Sequence, residues 1–413
     1  MKRTLLLLIS FLLTAALNLQ AQTLDYPQRT FLRENAYTIH PDETFSKSSW
    51  DYLVPNITDK RIMMLGEFTH GAKEIFQLHN NLVRFLHEQL GFNTILFESG
   101  IGELAVVDIN RKQLNGAQMT LGFFGGWRTK ENRELMEYVK TNNISVAGFD
   151  VQRTGNSFKQ LLKTTAHKYK IDTVFCAALE DRFGLIQREL SGGKAVYDSV
   201  NSKTWQLIAD YQKIYGQLSG NRSGNFARDL LLSCRTIINR VRFLEYMLRF
   251  VKDRDWNSRW AARDSAMADN IRWLADSIYN NEKLLVIGHN FHIAKSNEKE
   301  KVMGEILREY YPGNTYSLGF FAASGAYADN AGKEIKMLPP DSAHADLKHI
   351  IAPFKGFTTY LHIPEKKVPG TEWLHQYIVV NDTFIDLGGS NKIILAKQFD
   401  GLLLLKKVSL PEP

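Results

Sequence analysis

The sequence is short of cysteine, of long apolar runs and of clustered charge, and each shortage removes a class of protein. Two cysteines, Cys176 and Cys234, stand among 413 residues. That is too few for a disulfide-stapled scaffold or a cysteine-rich zinc module. An oxidising compartment would still permit one bridge between them. The formal charge is +7, and Lys2 and Arg3 account for two of those charges. No run of five or six like charges occurs, whereas basic nucleic-acid surfaces are denser, so no nucleic-acid partner is expected. The apolar run Leu5–Leu17 is about 13 residues, short of the ~20 a bilayer-spanning helix needs, which argues against stable membrane insertion. Familiar catalytic motifs are missing too. Neither Ser99 nor Ser223 follows a glycine at the second position before it, as a nucleophile elbow requires. There is no His-Glu-x-x-His, no phosphate-binding Gly-x-x-x-x-Gly-Lys loop and no dinucleotide fingerprint.

What is present begins at the amino terminus. Met1-Lys2-Arg3, the apolar stretch to Leu17 and a polar segment ending in Ala21 have the layout of a cleavable secretory signal. Residues 1–21 are therefore expected to be removed, leaving a secreted or periplasmic domain over 22–413. Apolar residues at 44% and charged residues at 23% suit a globular protein with a large core.

Four short apolar runs read as buried strands: Arg61–Gly66, Asn93–Glu98, Ile144–Asp150 and Lys283–His289. Amphipathic helices at Phe76–Leu90, Glu131–Lys140 and Met267–Ile278 alternate with them. This implies an α/β fold with a central, mostly parallel sheet flanked by helices. Between about residues 156 and 252 the strand signal stops. Four helical segments there predict an insertion, or cap, between the third and fourth core strands, roofing the cleft at the strand ends. After Tyr316 the β signal returns in YSLGFFA, TTYLHI, QYIVV and KIILA, extending the sheet or adding an antiparallel edge. The tryptophans 127, 205, 256, 260 and 273 read mostly as core or cap packing, with Trp127 nearest the pocket.

Polar residues at strand ends carry the chemistry. Glu67 follows the first strand with His70 three residues later; Glu98, Asp150 and His289 close the other three, and His292 lies three beyond His289. In an open parallel sheet the ligand crevice lies at the carboxyl ends of the strands, so these residues converge. A His/carboxylate cluster without a covalent nucleophile suits activation of water. An imidazole takes the proton, and a carboxylate fixes its tautomer and stabilises the cation.

The blocks Gly66-Glu67-Phe68-Thr69-His70-Gly71, Leu90-Gly91-Phe92, Gly126-Trp127-Arg128, Gly148-Phe149-Asp150, Arg263-Asp264 and Gly288-His289-Asn290-Phe291-His292 occur in order. Together with Tyr316–Phe320 they resemble the erythromycin esterase family across about residues 50–340. Its members hydrolyse the lactone ester of macrolide antibiotics or are relatives labelled as succinoglycan-biosynthesis proteins. The resemblance implies His70 as general base with Glu67, and His289 and Glu98 as further catalytic residues. It implies His292, Arg84 and Arg263 at the substrate, with Arg84 and Arg263 polarising the carbonyl; Trp127, beside the third strand, and Asp150, at its end, are expected there from their positions in the sequence. His79 stands where many relatives have arginine, and Phe291 where glycine is usual. The expected substrate is a small-molecule ester, a macrolide above all, and no cofactor is required. Two other readings of the same cluster remain: a metallohydrolase with a divalent ion held by the His and Glu residues, and an exported haem-, metal- or glycan-binding protein without turnover.

Overall fold

A computed structural model describes residues 25–39, 50–220, 227–380 and 392–413. The expected secretory segment, residues 1–21, lies outside the described residues. Eight strands form the main sheet: β1 (Ala36–Ile39), β2 (Ile62–Leu65), β3 (Phe92–Gly100), β4 (Ser145–Asp150), β5 (Lys283–Ile287), β6 (Thr315–Ala322), β7 (Thr358–His362) and β8 (Gly401–Leu405). Their spatial order is β1-β7-β8-β6-β2-β5-β3-β4. The six from β8 to β4 run parallel, and β7 is antiparallel to both its neighbours. The four expected core strands are adjacent and parallel.

Both faces of the sheet are covered, which is why central strands such as β2 (IMML) and β5 (KLLVI) are apolar at consecutive rather than alternate positions. Met63 and Leu65 of β2 pack into one core with Phe76, Leu82 and Phe85 of helix α1 (Lys73–Leu90). Ile62 and Met64 enter the opposite core. The register of β3 with β4 shifts between Phe97 and Gly100, so Glu98 sits at an irregularity of the kind that re-aims a side chain. A Cβ on Gly148 would lie 2.4 Å from the carbonyl oxygens of both Ser99 and Gly100, so only glycine admits this approach.

The remaining long helices are α2 (Ile101–Ile109), α3 (Lys130–Thr141), α4 (Phe158–Lys168), α5 (Thr173–Ser191), α6 (Tyr197–Ser219), α7 (Arg228–Asp253), α8 (Trp256–Trp273) and α9 (Met303–Tyr310). Helices α4 to α7 coincide with the expected insertion and have their own apolar core, in which Cys176 and Cys234 are separate buried thiols. Helices α4 and α7 pack on α2, which lies against edge strand β4. The insertion does not roof the cleft: none of its four helices contributes a lining residue among the described ones. That position belongs to α8, which starts eleven residues before the apolar periodicity at Met267 because its first two turns face a cavity. Asp255 caps it by accepting from the Ser258 amide.

The carboxyl-terminal strand signals divide. YSLGFFA and TTYLHI join the main sheet, whereas Ile378–Val379 and Lys392–Ile393 form a separate two-stranded pair. The outermost strand of the parallel set, β8, is the uninterrupted run GLLLL, which no alternation distinguishes from a buried helix segment. Among the described residues no helix is long and apolar enough to cross a membrane.

Candidate active site

Parallel strands deliver their carboxyl ends to one edge, and a cavity of about 910 Å³ opens there. His70, Glu98, Asp150, Arg263, His289 and His292 all line it. The turn after β2 supplies the first pair. His70 Nδ1 donates to Glu67 Oε1 at 2.5 Å, and the Trp127 indole donates to the same oxygen at 3.1 Å. Glu67 is wholly buried, while the His70 side chain keeps 13% of its surface open. With Nδ1 committed to the carboxylate, a proton taken by this ring goes onto Nε2.

Three consecutive carbonyls around that pair are held from outside the turn. His79 Nε2 donates to Gly66 O at 2.9 Å, Asn290 N to Glu67 O at 2.8 Å, and His289 Nε2 to Phe68 O at 2.9 Å. Gly66 is required because a Cβ there would lie 2.0 Å from Asn290 Oδ1. Burial pushes the His79 imidazole down to about 4, with the Gly66 carbonyl opposing, so His79 is a neutral donor. His289 Nδ1 accepts from the Phe291 amide at 3.2 Å, so both of its ring nitrogens have protein partners. Its ring centre lies 5.4 Å from that of His70.

Arg263 organises the other half. Its Nη2 donates to Glu98 Oε1 and to Asp150 Oδ2, each at 2.7 Å, and its Nε to Asp150 Oδ1 at 3.2 Å. Nη1 faces His292 Nε2 at 2.9 Å, and His292 Nδ1 donates to Asp264 at 2.9 Å. Asp264 also accepts from the Met303 amide at 2.8 Å. Burial alone would raise the Glu98 carboxyl. The charges of His292, Arg263 and His70 and the His289 amide outweigh it and hold Glu98 well below the usual carboxylate range. The Arg263 guanidinium is driven the opposite way: burial disfavours its charge, but Asp150 and Glu98 raise it well above its ordinary value.

Two expected substrate contacts lie elsewhere. Arg84 sits on α1 with its guanidinium 4.4 Å from the ring centre of Tyr138 on α3, because the helix face that carries it turns toward α3. Trp127 is 1% exposed and stands behind Glu67 rather than on the cavity wall. The tryptophans that do line the cavity are Trp256 and Trp260, which the sequence reading assigned to packing. Their signal was a tryptophan pair four residues apart with Arg263 at the next helical step, on a segment of weak apolar periodicity. Asp264 escaped a role for a similar reason: its partner His292 is distant in sequence.

The imidazole nitrogens of His289 and His292 are spent on protein partners, and a guanidinium fills the space between Glu98 and Asp150. Among the described residues no group of three or more His, Cys, Asp or Glu side chains is arranged to hold a metal ion.

The erythromycin esterase family model matches residues 87–408. The chain belongs to the erythromycin esterase family. The match extends through the carboxyl-terminal strands, further than the sequence resemblance, and begins after the Glu67–His70 turn. The family member is 28% identical over 399 residues to the putative hydrolase YbfO of Bacillus subtilis (strain 168), covering 87% of this chain and 86% of the relative. It is 27% identical over 282 residues to erythromycin esterase type II of Escherichia coli, covering 62% of this chain and 66% of the relative. A crystal structure of a mutant of the erythromycin esterase EreC in its open conformation superposes with a TM-score of 0.64 at 15% identity, covering 91% of this chain and 98% of that one. That likeness establishes the shared fold. Family membership supports a hydrolase.

Proposed function

We propose that the protein is an exported esterase that opens a carboxylic ester, in particular a macrolide lactone, with water activated by His70. The observation that carries this reading is the 2.5 Å contact between His70 Nδ1 and the buried Glu67 carboxylate, at the floor of a cavity wide enough for a bulky substrate. Water attacks the carbonyl carbon as its proton passes to His70 Nε2, forming a tetrahedral oxyanion. Collapse breaks the ester C–O bond, and the imidazolium returns the proton to the departing alkoxide. The products are a carboxylic acid and an alcohol. Glu67 fixes the imidazole tautomer and stabilises its cation; Arg263 supplies fixed positive charge beside the oxyanion. Glu98 and His289 hold these groups in place, Glu98 through Arg263 and the His289 amide, His289 through the Phe68 carbonyl. The hydroxyls on the cavity wall are engaged elsewhere: Thr154 donates to Gly122 O, Ser296 to Lys397 O and Tyr377 to Glu298 Oε1.

His70→Ala is expected to lower kcat by roughly 10²–10⁴-fold with KM little changed, and Glu67→Gln by less, in a steady-state assay on macrolide and simple esters. Full activity in His70→Ala would overturn the mechanism. Loss of activity in EDTA with recovery on adding zinc or manganese would pass water activation to a metal. Export is tested by sequencing the amino terminus of the protein from its native host: it should begin near Gln22, and an intact Met1 in the cytosol would reject it.

A further inference from the structure

Two helices that start beside the site receive their first amide acceptors from one distant segment. Helix α1 begins at Lys73, three residues after His70, and α3 begins at Lys130, three residues after Trp127. His70 and Trp127 both contact Glu67 Oε1. Ala72, the residue before α1, has no side-chain acceptor to offer the open amides of the first turn. The chain beyond β8 supplies one instead. Lys73 N donates to Ser409 O at 2.9 Å, and Lys130 N donates to Glu412 O at 2.8 Å.

Further bonds secure the same segment. Ser409 donates to Glu74 through its amide at 2.7 Å and through its hydroxyl at 2.6 Å. Glu412 accepts from Lys73 Nζ at 2.5 Å and from Lys130 Nζ at 2.8 Å, so one carboxylate bridges the two helix starts. Closer to β8, Val408 is buried and meets a short hairpin, Ala326–Ala328 paired with Glu334–Lys336. Ala326 N donates to Val408 O at 3.1 Å, and Val408 N to Ser324 O at 3.0 Å. The hairpin in turn grips the catalytic turn. Ala328 N donates to Gly71 O at 2.8 Å, and a Cβ on Gly71 would lie 2.1 Å from Ala328 O.

We infer that Val408–Glu412 is a positioning element of the reaction: it caps α1 and α3 from outside and so fixes His70 and Trp127 against the Glu67 carboxylate. The inference rests on the reading of His70 as the base. None of these five residues lines the cavity, so the segment acts through His70 and Trp127 and not on the substrate. Such support matters because a displacement of about 1 Å can cost on the order of 10²-fold in rate. The backbone bonds carry the effect. The lysine–Glu412 pairs are partly exposed, at 28%, 56% and 44% of the three side chains, and exposed pairs are weak and screened by salt.

Proline at the first position of a helix preserves the helix and removes its amide donor. Ala72 (φ −119°, ψ 120°) and Thr129 (φ −100°, ψ 167°) already have the extended backbone that proline requires before it. Lys73→Pro should therefore fold, with kcat on a simple ester lowered roughly tenfold and KM little changed. The acid limb of its kcat profile should move to lower pH, because the imidazolium loses part of its hold on Glu67. Lys130→Pro should lower kcat roughly threefold, and a chain stopped after Leu410, which lacks the Glu412 carbonyl, should do the same. Lys73→Gln and Lys130→Gln keep the amides and should stay near the parent. Equal losses in the glutamine and proline variants, or a parent-like kcat and acid limb in Lys73→Pro, would overturn the inference. Hydrogen exchange separates this outcome from failure of the esterase reading. Faster exchange over residues 66–72 in Lys73→Pro supports the positioning role even if the parent hydrolyses no ester; exchange equal to the parent's rejects it.

Discussion

Among the described residues two buried arginines, Arg263 and Arg240, each sit between a pair of carboxylates, and Arg263 alone of these two is part of the candidate active site. Arg263 joins Glu98 and Asp150 at the cavity floor. Arg240, on α7 of the helical insertion, joins Glu103 of α2 at 2.7 Å and Glu180 of α5 at 3.2 Å, and Tyr211 donates to Glu180 at 2.7 Å. The Arg240 guanidinium also lies over Phe183, 4.7 Å from its ring centre. The chemistry of the two clusters is nearly the same, but their surroundings differ. Arg240, Glu103 and Glu180 are sealed among apolar side chains, whereas Arg263 lines an open cavity. The electrostatic consequences diverge accordingly. Burial pushes the Glu103 carboxyl up despite Arg240, while Glu98 is held low by several positive neighbours. A buried ion cluster is therefore no evidence of function by itself. In the insertion it fixes how three helices meet; at the strand ends it lines an open cavity, where the proposed mechanism uses its charge.

Substitution should separate the two clusters. Arg240→Leu strands two carboxylates in an apolar core and should cost about 3–5 kcal/mol in urea unfolding. Turnover per folded molecule should stay near that of the parent. Arg263→Leu should reverse this pattern. Its kcat should fall about 10²-fold or more through lost transition-state electrostatics. Its stability cost should be smaller, about 1–3 kcal/mol, because cavity water reaches Glu98 and Asp150. If the two variants lose stability equally and activity only tracks the folded fraction, the distinction is wrong.

Acid sharpens the comparison on the active-site side. His79, which holds the Gly66 carbonyl, is pushed from 6.5 down to about 4. Between those values the unfolded chain binds a proton that the folded chain refuses. Its contribution is complete above pH 6.5 and is lost as pH falls through that window, by about 2 kcal/mol between pH 7 and pH 5. Unfolding curves at the two pH values measure it, and His79→Gln, which keeps a donor but cannot titrate, should remove this component. A parent and a variant with the same pH slope would refute it. The smallest effect belongs to Trp127→Phe. Losing one donor to the Glu67 carboxylate should lower kcat about tenfold and shift the acid limb of the activity profile, with KM nearly unchanged.

The strand cores were legible in the sequence because a buried parallel strand is a short uninterrupted apolar run. Ile62–Leu65 and Lys283–Ile287 announce themselves in that way. The insertion helices were legible for the complementary reason, a period near 3.6 sustained over many residues. The wall of the cavity was hidden because a segment facing an open space has no packing partner to impose a period. Trp256–Trp260 therefore read as filler and the start of α8 was missed. Arg84 misled because the family resemblance places it at the substrate, while the face it occupies is a matter of helix rotation.

The sequence by itself determined the family, the α/β class and the row of strand-end residues, because each is a local pattern that parallel pairing alone converts into convergence. Tertiary structure alone decided which groups serve those residues. Asp264 reaches His292, Trp127 reaches Glu67, and Arg263 rather than Arg84 faces the cavity. Each of these depends on the rotation of a helix or the path of a turn about its neighbours. Close packing in three dimensions sets those angles, and no spacing along the chain records them.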